Sequence, residues 1–201
     1  MRMPAIPNLS VYRAPQEGHH YVVGADPAEG NPNSDDSAAT VMDAETWEEV
    51  ASLALKAEPT VFAAYLDELA AFFLGADILP ERNNHGHTLI AALRAGGRHR
   101  VLNGYDGKPG WLSNVKGKVL LYDACADAIR DGAVVIRSPE TVSQLASIEA
   151  GTLRAPEGLH DDRADSFALA VVALADPRLH AQASVSVPKY DPLAGVDEDA
   201  W

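Results

Sequence analysis

The period of the hydrophobic positions changes several times along the chain, and each change marks an expected element. Tyr21 to Asp26, "YVVGAD", is an apolar run too short for a helix and rich in β-branched residues, so it reads as a buried strand. The Gly, Pro, Asn, Ser and Asp residues of "PAEGNPNSDDS" follow as a loop, then "AATVMDA" gives a second strand and "WEEVASLALKA" a third. Strands in such close succession predict an antiparallel meander. From Pro59 the period lengthens: Phe62, Tyr65, Leu66, Leu69, Phe72 and Phe73 fall at helical spacing, with the proline at the start and Gly75 at the end. "ADILPE" returns to a short strand ending near Glu81, and "NNHGHTLIAALRAGG" predicts a helix closed by paired glycines. Beyond it "RVLNGY" reads as a strand, "NVKGKVLLYDACADAIRDG" as a helix, "AVVIR" as a short strand and "PETVSQLASIEAGTL" as a helix. "DRADSFALAVVALAD" is apolar on nearly every side, which predicts a helix buried between other elements. The expected fold is an α/β domain whose mixed sheet, an antiparallel meander followed by alternating helices and strands, is flanked by helices.

Composition narrows this picture. At 201 residues and 47% hydrophobic content the chain suits one domain with a real core. Residues 1–19 hold three prolines and little periodicity and read as a linker or leading arm, 20–180 as the domain, and 181–201 as an acidic mobile tail. No apolar run reaches the ~20 residues of a membrane span, and the N-terminus lacks the apolar centre of a signal peptide, so a soluble intracellular protein is expected. Cys125 is the single cysteine, which excludes an internal disulfide and predicts a small buried helix residue. A formal charge of -13 argues against gripping nucleic acid by bulk electrostatics, unless much of the acid sits in a metal site where bound cations reverse the local sign.

The acids do collect at particular places. Function in open α/β sheets gathers at the carboxyl ends of strands. Asp26 ends the first strand, Glu81 ends a later one, and Asp161, Asp162 and Asp165 open the last helix. Each has a plain alternative: Asp26 as a turn residue before proline, Glu81 as a solvated partner of Arg82, and Asp162 as an N-cap with Asp165 favoured by the helix dipole. Capping needs one acid, or two; three repel one another and favour a cation. Hard divalent ions take carboxylate oxygens, and two such ions ~4 Å apart can activate water and stabilise the leaving oxygen of a phosphodiester.

"VYRAPQEGHHYVVGADPAEG", "ERNNHGHTLIAAL", "GWLSNVKGKVLLYDACADAIRDGAVVI" and "GLHDDRADSFALAVVALA" together resemble, in order and approximate spacing, the nuclease domain of the large terminase subunit, the DNA-packaging motor of tailed bacteriophages. The resemblance covers about residues 11–175 and implies a ribonuclease H-like fold. It implies that Asp26, Glu81 and Asp162 are the principal ligands of Mg²⁺ or Mn²⁺, two ions in all, with Asp165 a turn below on the same helix face and Asp161 beside them. It also implies that Asn83, Asn84 and Gly86 shape the loop beside the metals; plain turn and N-cap chemistry is the alternative. His85 and His160 are candidates for proton transfer or phosphate contact, or plain surface histidines. Asp35 and Asp36 read as bracing the meander turn, with Asp36 able to approach a metal through water. Trp111 reads as a packing anchor, and Lys108, Lys116, Lys118 and Arg163 as the bases to consider for phosphate.

The activity implied is endonucleolytic cutting of concatemeric viral DNA during packaging. Double-stranded DNA, the terminase ATPase domain, the small terminase subunit and the portal are the implied partners, and the cytoplasm of the infected bacterial host the implied location. No G-x-x-x-x-G-K-[ST] stretch is present, so this chain is not the translocating ATPase; an excised domain and a separately encoded nuclease are the two possibilities. Two other functions stay open. One is a catalytically weak ribonuclease H-like assembly module of the motor, and the other a Holliday-junction resolvase-like nuclease, from which "NNHG" and "GW" point away.

Overall fold

In the computed structural model, residues 3–31 and 35–181 are described, Ala181 by its backbone alone. The tail expected at 181–201 therefore lies, beyond Ala181, outside the described residues. The elements in chain order are β1 (Ser10–Val11), β2 (Tyr21–Asp26), β3 (Ser37–Asp43), β4 (Glu48–Leu55), α1 (Pro59–Phe72), β5 (Asp77–Pro80), α2 (Gly86–Gly96), α3 (Val115–Arg130), α4 (Pro139–Ser147), α5 (Asp162–Ala175) and α6 (Pro177–Ala181). The five strands form one sheet in the order β1-β4-β3-β2-β5. The β2–β3–β4 meander is antiparallel as its sequence predicts, with a register shift between Val41 and Met42, whereas β5 lies parallel to β2. The sheet is thus mixed.

Period-two alternation sorts the strand residues between two cores, one on each face. Tyr21, Val23 and Ala25 of β2, with Ala39 and Val41 of β3 and Ile78 of β5, pack under α1 and α2 through Phe62, Leu66, Leu69, Leu89 and Leu93. Val22, Met42 and Leu79 face the opposite way, onto α3 and α5, among Leu121, Cys125 and the run Phe167 to Ala173. Both faces being covered explains why every residue of β3 and β4 is buried instead of alternating with exposed ones. It also explains why α5 is apolar nearly all round: the sheet lies beneath it, and α3 and α4 pack beside it.

The structure alters several expected boundaries. Part of the leading arm is built into the sheet: Ser10 and Val11 pair with Ser52 and Ala51 of β4, and Ile6 is buried in the α1-side core. "RVLNGY" and "AVVIR" each supply only isolated bridges, Val101 to Ile78 and Asn103 to Pro109 and Gly110 in the first, Val135 to Glu48 in the second, because neighbouring residues turn away to join α2 to α3 and α3 to α4. The helix expected through residue 153 stops at Ser147, where Ile148 leaves helical geometry at ψ 123° and the chain makes a short turn closed by a Glu149–Arg154 bridge. Among the described residues no helix is long and apolar enough to cross a membrane.

Candidate metal centre

Asp26 and Glu81 stand side by side at the carboxyl ends of two adjacent parallel strands. The β2–β5 register pairs Ala25 with Pro80, and the pairing continues as Glu81 N donates to Ala25 O at 2.8 Å. In the alternation Val22, Gly24, Asp26 the aspartate falls on the α5 face of the sheet, and Glu81 follows Leu79 onto that same face. Two glycines permit the close packing that builds the site. A Cβ on Gly24 would lie 2.1 Å from Ser166 O and 2.4 Å from Ala170 N, so α5 rests directly on the β2 backbone there. A Cβ on Gly86 would lie 2.0 Å from Glu81 O, so the first turn of α2 closes onto the strand end that carries Glu81.

With α5 seated on Gly24, its first turn reaches the same rim. Asp162 and Asp165 are three residues apart on one helix face, and both are buried. The N-cap position is Asp161, one residue earlier than its sequence suggests, and its side chain makes no capping bond; Oδ2 accepts from Ala155 N at 3.2 Å and so holds the preceding loop. Asp162 is the first helical residue and accepts from Asp36 N at 3.3 Å, which ties the meander loop to α5.

The acids line one cleft of about 460 Å³, into which Asp26, Glu29, Asp35, Glu81, Asp161, Asp162 and Asp165 open against the cations Lys118 and Arg154. Burial raises the Asp26 carboxyl well above the usual carboxylate range, reinforced by hydrogen bonding to Glu81 and by the charges of Glu81, Asp165 and Asp162. Asp162 is pushed up to about 6, by burial first and then by Asp35 and Asp161, against the Asp36 amide and His160. Asp165 is raised by burial, although Lys118 and Tyr122 oppose the shift. A divalent cation would reverse these penalties, and the donor set, almost all carboxylate oxygen, suits a hard ion. Asp35, His160 and Asp162 bring ligand atoms within 4.8 Å of one another at the rim.

The structure therefore brings Asp26, Glu81, Asp161, Asp162 and Asp165 together, with His85, Asn83 and Asn84 on the same wall. Asn83 Nδ2 donates to Ser113 O at 3.0 Å, and Asn84 has positive φ at 43°, so both set the loop's shape. Arg82 turns from its neighbour Glu81 to a bidentate pair with Asp106. Of the two loop aspartates, Asp35 lines the cleft, while Asp36 ion-pairs with Lys56 at 3.0 Å. Trp111 is a packing anchor as expected, 1% exposed with Nε1 donating to Gly117 O. Cys125 is buried, and its thiol is pushed up to about 12.

Two of the four expected phosphate bases are engaged by partners within the protein. Arg163 Nη1 donates to Ser52 Oγ at 3.1 Å and does not line the cleft, because the helix phase that aims Asp162 and Asp165 at the rim carries Arg163 towards β4. Lys118 enters the cleft but ion-pairs with Asp165. Lys108 and Lys116 are exposed, Lys116 standing 5.3 Å over the Tyr105 ring. Arg154, which no motif singled out, is the exposed base on the cleft wall. Its place there follows from the short turn after α4, which the expected longer helix would have obscured.

No protein-family model and no curated protein sequence matches the chain. Solved structures do. The large terminase nuclease from thermophilic phage G20c with bound magnesium is similar at a TM-score of 0.70 and 21% identity, over 84% of this chain and 89% of that one. The same nuclease has also been solved with cobalt and with zinc. The Thermus phage P74-26 large terminase nuclease domain gives 0.66 at 21% identity, over 83% and 86% of the two chains. The human cytomegalovirus terminase nuclease domain gives 0.51 at 13% identity, over 82% and 86%. The chain thus has the ribonuclease H-like fold of large terminase nuclease domains.

Proposed function

We propose that the chain is a metal-dependent DNA endonuclease of the large terminase type, cutting concatemeric viral DNA during genome packaging in the cytoplasm of an infected bacterium. The observation that carries this reading is the convergence of Asp26 and Glu81, from two parallel strand ends, with Asp162 and Asp165 of α5 in one cleft. Capping or turn chemistry accounts for each acid alone but not for placing their charges against one another. The magnesium bound to the similar phage G20c nuclease supports the choice of a hard ion.

In the mechanism, Asp26, Glu81 and Asp162 would hold Mg²⁺ or Mn²⁺, with Asp35 and His160 within reach of Asp162. Two ions are proposed; when bound they acidify the attacking water and stabilise the leaving oxygen of the scissile phosphodiester. Asp26, which interacts with Glu81, Asp162 and Asp165, would be the central ligand of the set. His85, which lines the cleft, and His160, beside Asp162, would be the groups to pass a proton to or from the reacting oxygens. Arg154 at the cleft, with Lys108 and Lys116 outside it, supplies the positive charge available for phosphate. DNA is therefore held mainly after metal has offset the acids, and isolated affinity is weak and steeply salt-dependent. The terminase ATPase domain, small subunit and portal are the proposed partners that bring DNA to the cleft.

The test is incubation of purified protein with supercoiled plasmid and Mg²⁺ or Mn²⁺. The expected result is metal-dependent nicking and linearisation that Asp26→Ala abolishes; cleavage by that variant at the wild-type rate would falsify the assignment. No cleavage and no metal-dependent rise in melting temperature, with binding to a portal or ATPase partner, would favour the assembly-module reading instead.

A further inference from the structure

Asp165 differs from the other acids of the cleft because both of its oxygens meet a side-chain donor. Oδ1 accepts the Tyr122 hydroxyl at 2.6 Å, and Oδ2 ion-pairs with Lys118 Nζ. Lys118 and Tyr122 are four residues apart on one face of α3, and Nζ also lies 5.6 Å from the centre of the Tyr122 ring. The lysine side chain is 14% exposed, yet it lines the cleft that holds Asp26, Glu81 and Asp162. An ammonium held this rigidly is not a free phosphate contact. It is a fixed positive charge at the place where divalent cations would enter.

We propose that Lys118 is the built-in counter-cation of the cleft: it holds Asp165 and offsets the acids when metal is absent, and it opposes, and so limits, divalent-ion binding at Asp26, Glu81 and Asp162. This rests on the metal-centre reading above. While the pair is intact Asp165 acts as a positioning residue, fixing Lys118 and anchoring α5 to α3. Removing the charge therefore has two opposite effects. The metal-free protein loses an ion pair among repelling carboxylates, and the metal-bound protein loses a repulsion.

The experiment is calorimetric titration of Mg²⁺ into metal-free wild type, Lys118→Met and Tyr122→Phe at low ionic strength, with melting temperatures measured alongside. Lys118→Met is expected to bind Mg²⁺ ~10-fold tighter or more, since a like charge has left a poorly solvated site, while Tyr122→Phe stays within ~2-fold of wild type. Lys118→Met should also melt lower without metal and recover in saturating Mg²⁺. A purely structural role predicts the reverse, weaker binding because Asp165 is loosened. Unchanged or weaker binding by Lys118→Met in a wild type that binds Mg²⁺ overturns the Lys118 assignment alone, as does equal tightening by Tyr122→Phe. Failure of every protein to bind overturns the metal centre together with it. Should Lys118→Met not fold, Lys118→Gln, which keeps a donor for Asp165 without the charge, must show the same tightening.

Discussion

The two ends of the central strands both bury acids, and they satisfy them in opposite ways. At the end where β2 begins and β3 finishes, Asp43 is fully buried, with Oδ2 2.7 Å from His19 Nδ1 and Oδ1 accepting from Glu45 N and Thr46 N. Glu49 nearby accepts from Arg137 N, Ser138 N and Thr141 Oγ1, and Glu48 is clamped between Arg13 and Arg137. At the other end Asp26 faces Glu81, Asp162 and Asp165, which are carboxyls themselves. Burial raises both Glu49 and Asp26, but donors oppose the shift at Glu49 whereas further negative charge adds to it at Asp26. A buried acid surrounded by donors is part of the scaffold; a buried acid surrounded by acids is neutralised by a proton or a cation. His19, Asp43 and Glu45 also bring ligand atoms within 4.8 Å, yet there Asp43 Oδ1 closes the β3–β4 turn and Oδ2 meets His19.

This contrast can be broken in four ways. The largest effect is expected for Asp26→Ala, which should lower metal-dependent cleavage by at least ~100-fold, as ligand loss does, without lowering the melting temperature of the metal-free protein. Plasmid nicking and thermal melts measure the two halves. Glu49→Ala should do the opposite: it strands three donors at a fully buried position and is expected to cost about 3 kcal/mol by denaturant unfolding, leaving the Mg²⁺-induced rise in melting temperature intact. A large loss of that rise would mean the two ends are coupled.

Gly24→Ala is expected to cost about 2 kcal/mol, because its Cβ must push α5 off β2, and to weaken Mg²⁺ binding by displacing Asp162 and Asp165. If stability falls while metal affinity holds, the seating of α5 is not what aligns the acids. The smallest effect is the pH dependence. The folded carboxyl of Asp162 is raised to about 6, above the ~3.9 of an unfolded aspartate, so the native state binds its proton more tightly. Its contribution to stability is present in full below the unfolded value and is lost as pH rises through about 6. Metal binds the ionised form, so the Mg²⁺-induced melting shift should grow over that same window. Asp162→Asn should make the metal-free protein about 1 kcal/mol more stable at pH 7.5 and flatten the dependence. A shift that does not change between pH 5 and 7.5 would remove Asp162 from the site.

The comparison also shows why some features were legible before the fold was known. Strand Tyr21–Asp26 and helix Asp162–Ala175 are marked by local chemistry: β-branched residues between turns, and an apolar run opened by acids. Asp26, Glu81 and the α5 acids could be selected because each ends or begins an element. What the Lys118, Arg163, Asp35 and Arg154 side chains do could not be read in that way. Lys118 looked like any basic residue in a first helical turn, and only the packing of α3 against α5 pairs it with Asp165. Arg163 sits between two site aspartates in sequence, but the turn of the helix sends it to Ser52. The pairing of residues 10 and 11 with β4 was hidden because a two-residue edge strand carries no period.

The sequence by itself determined the meander, the amphipathic and buried helices, and the concentration of acid at element ends, since these follow from periods of two and 3.6 residues and from turn chemistry. Tertiary structure alone decided that those ends meet. Asp26 and Asp162 are far apart along the chain, and what unites them is α5 lying against a glycine in β2. Which acids repel and which are neutralised depends on that packing, because the energy of a buried charge is set by its neighbours in space.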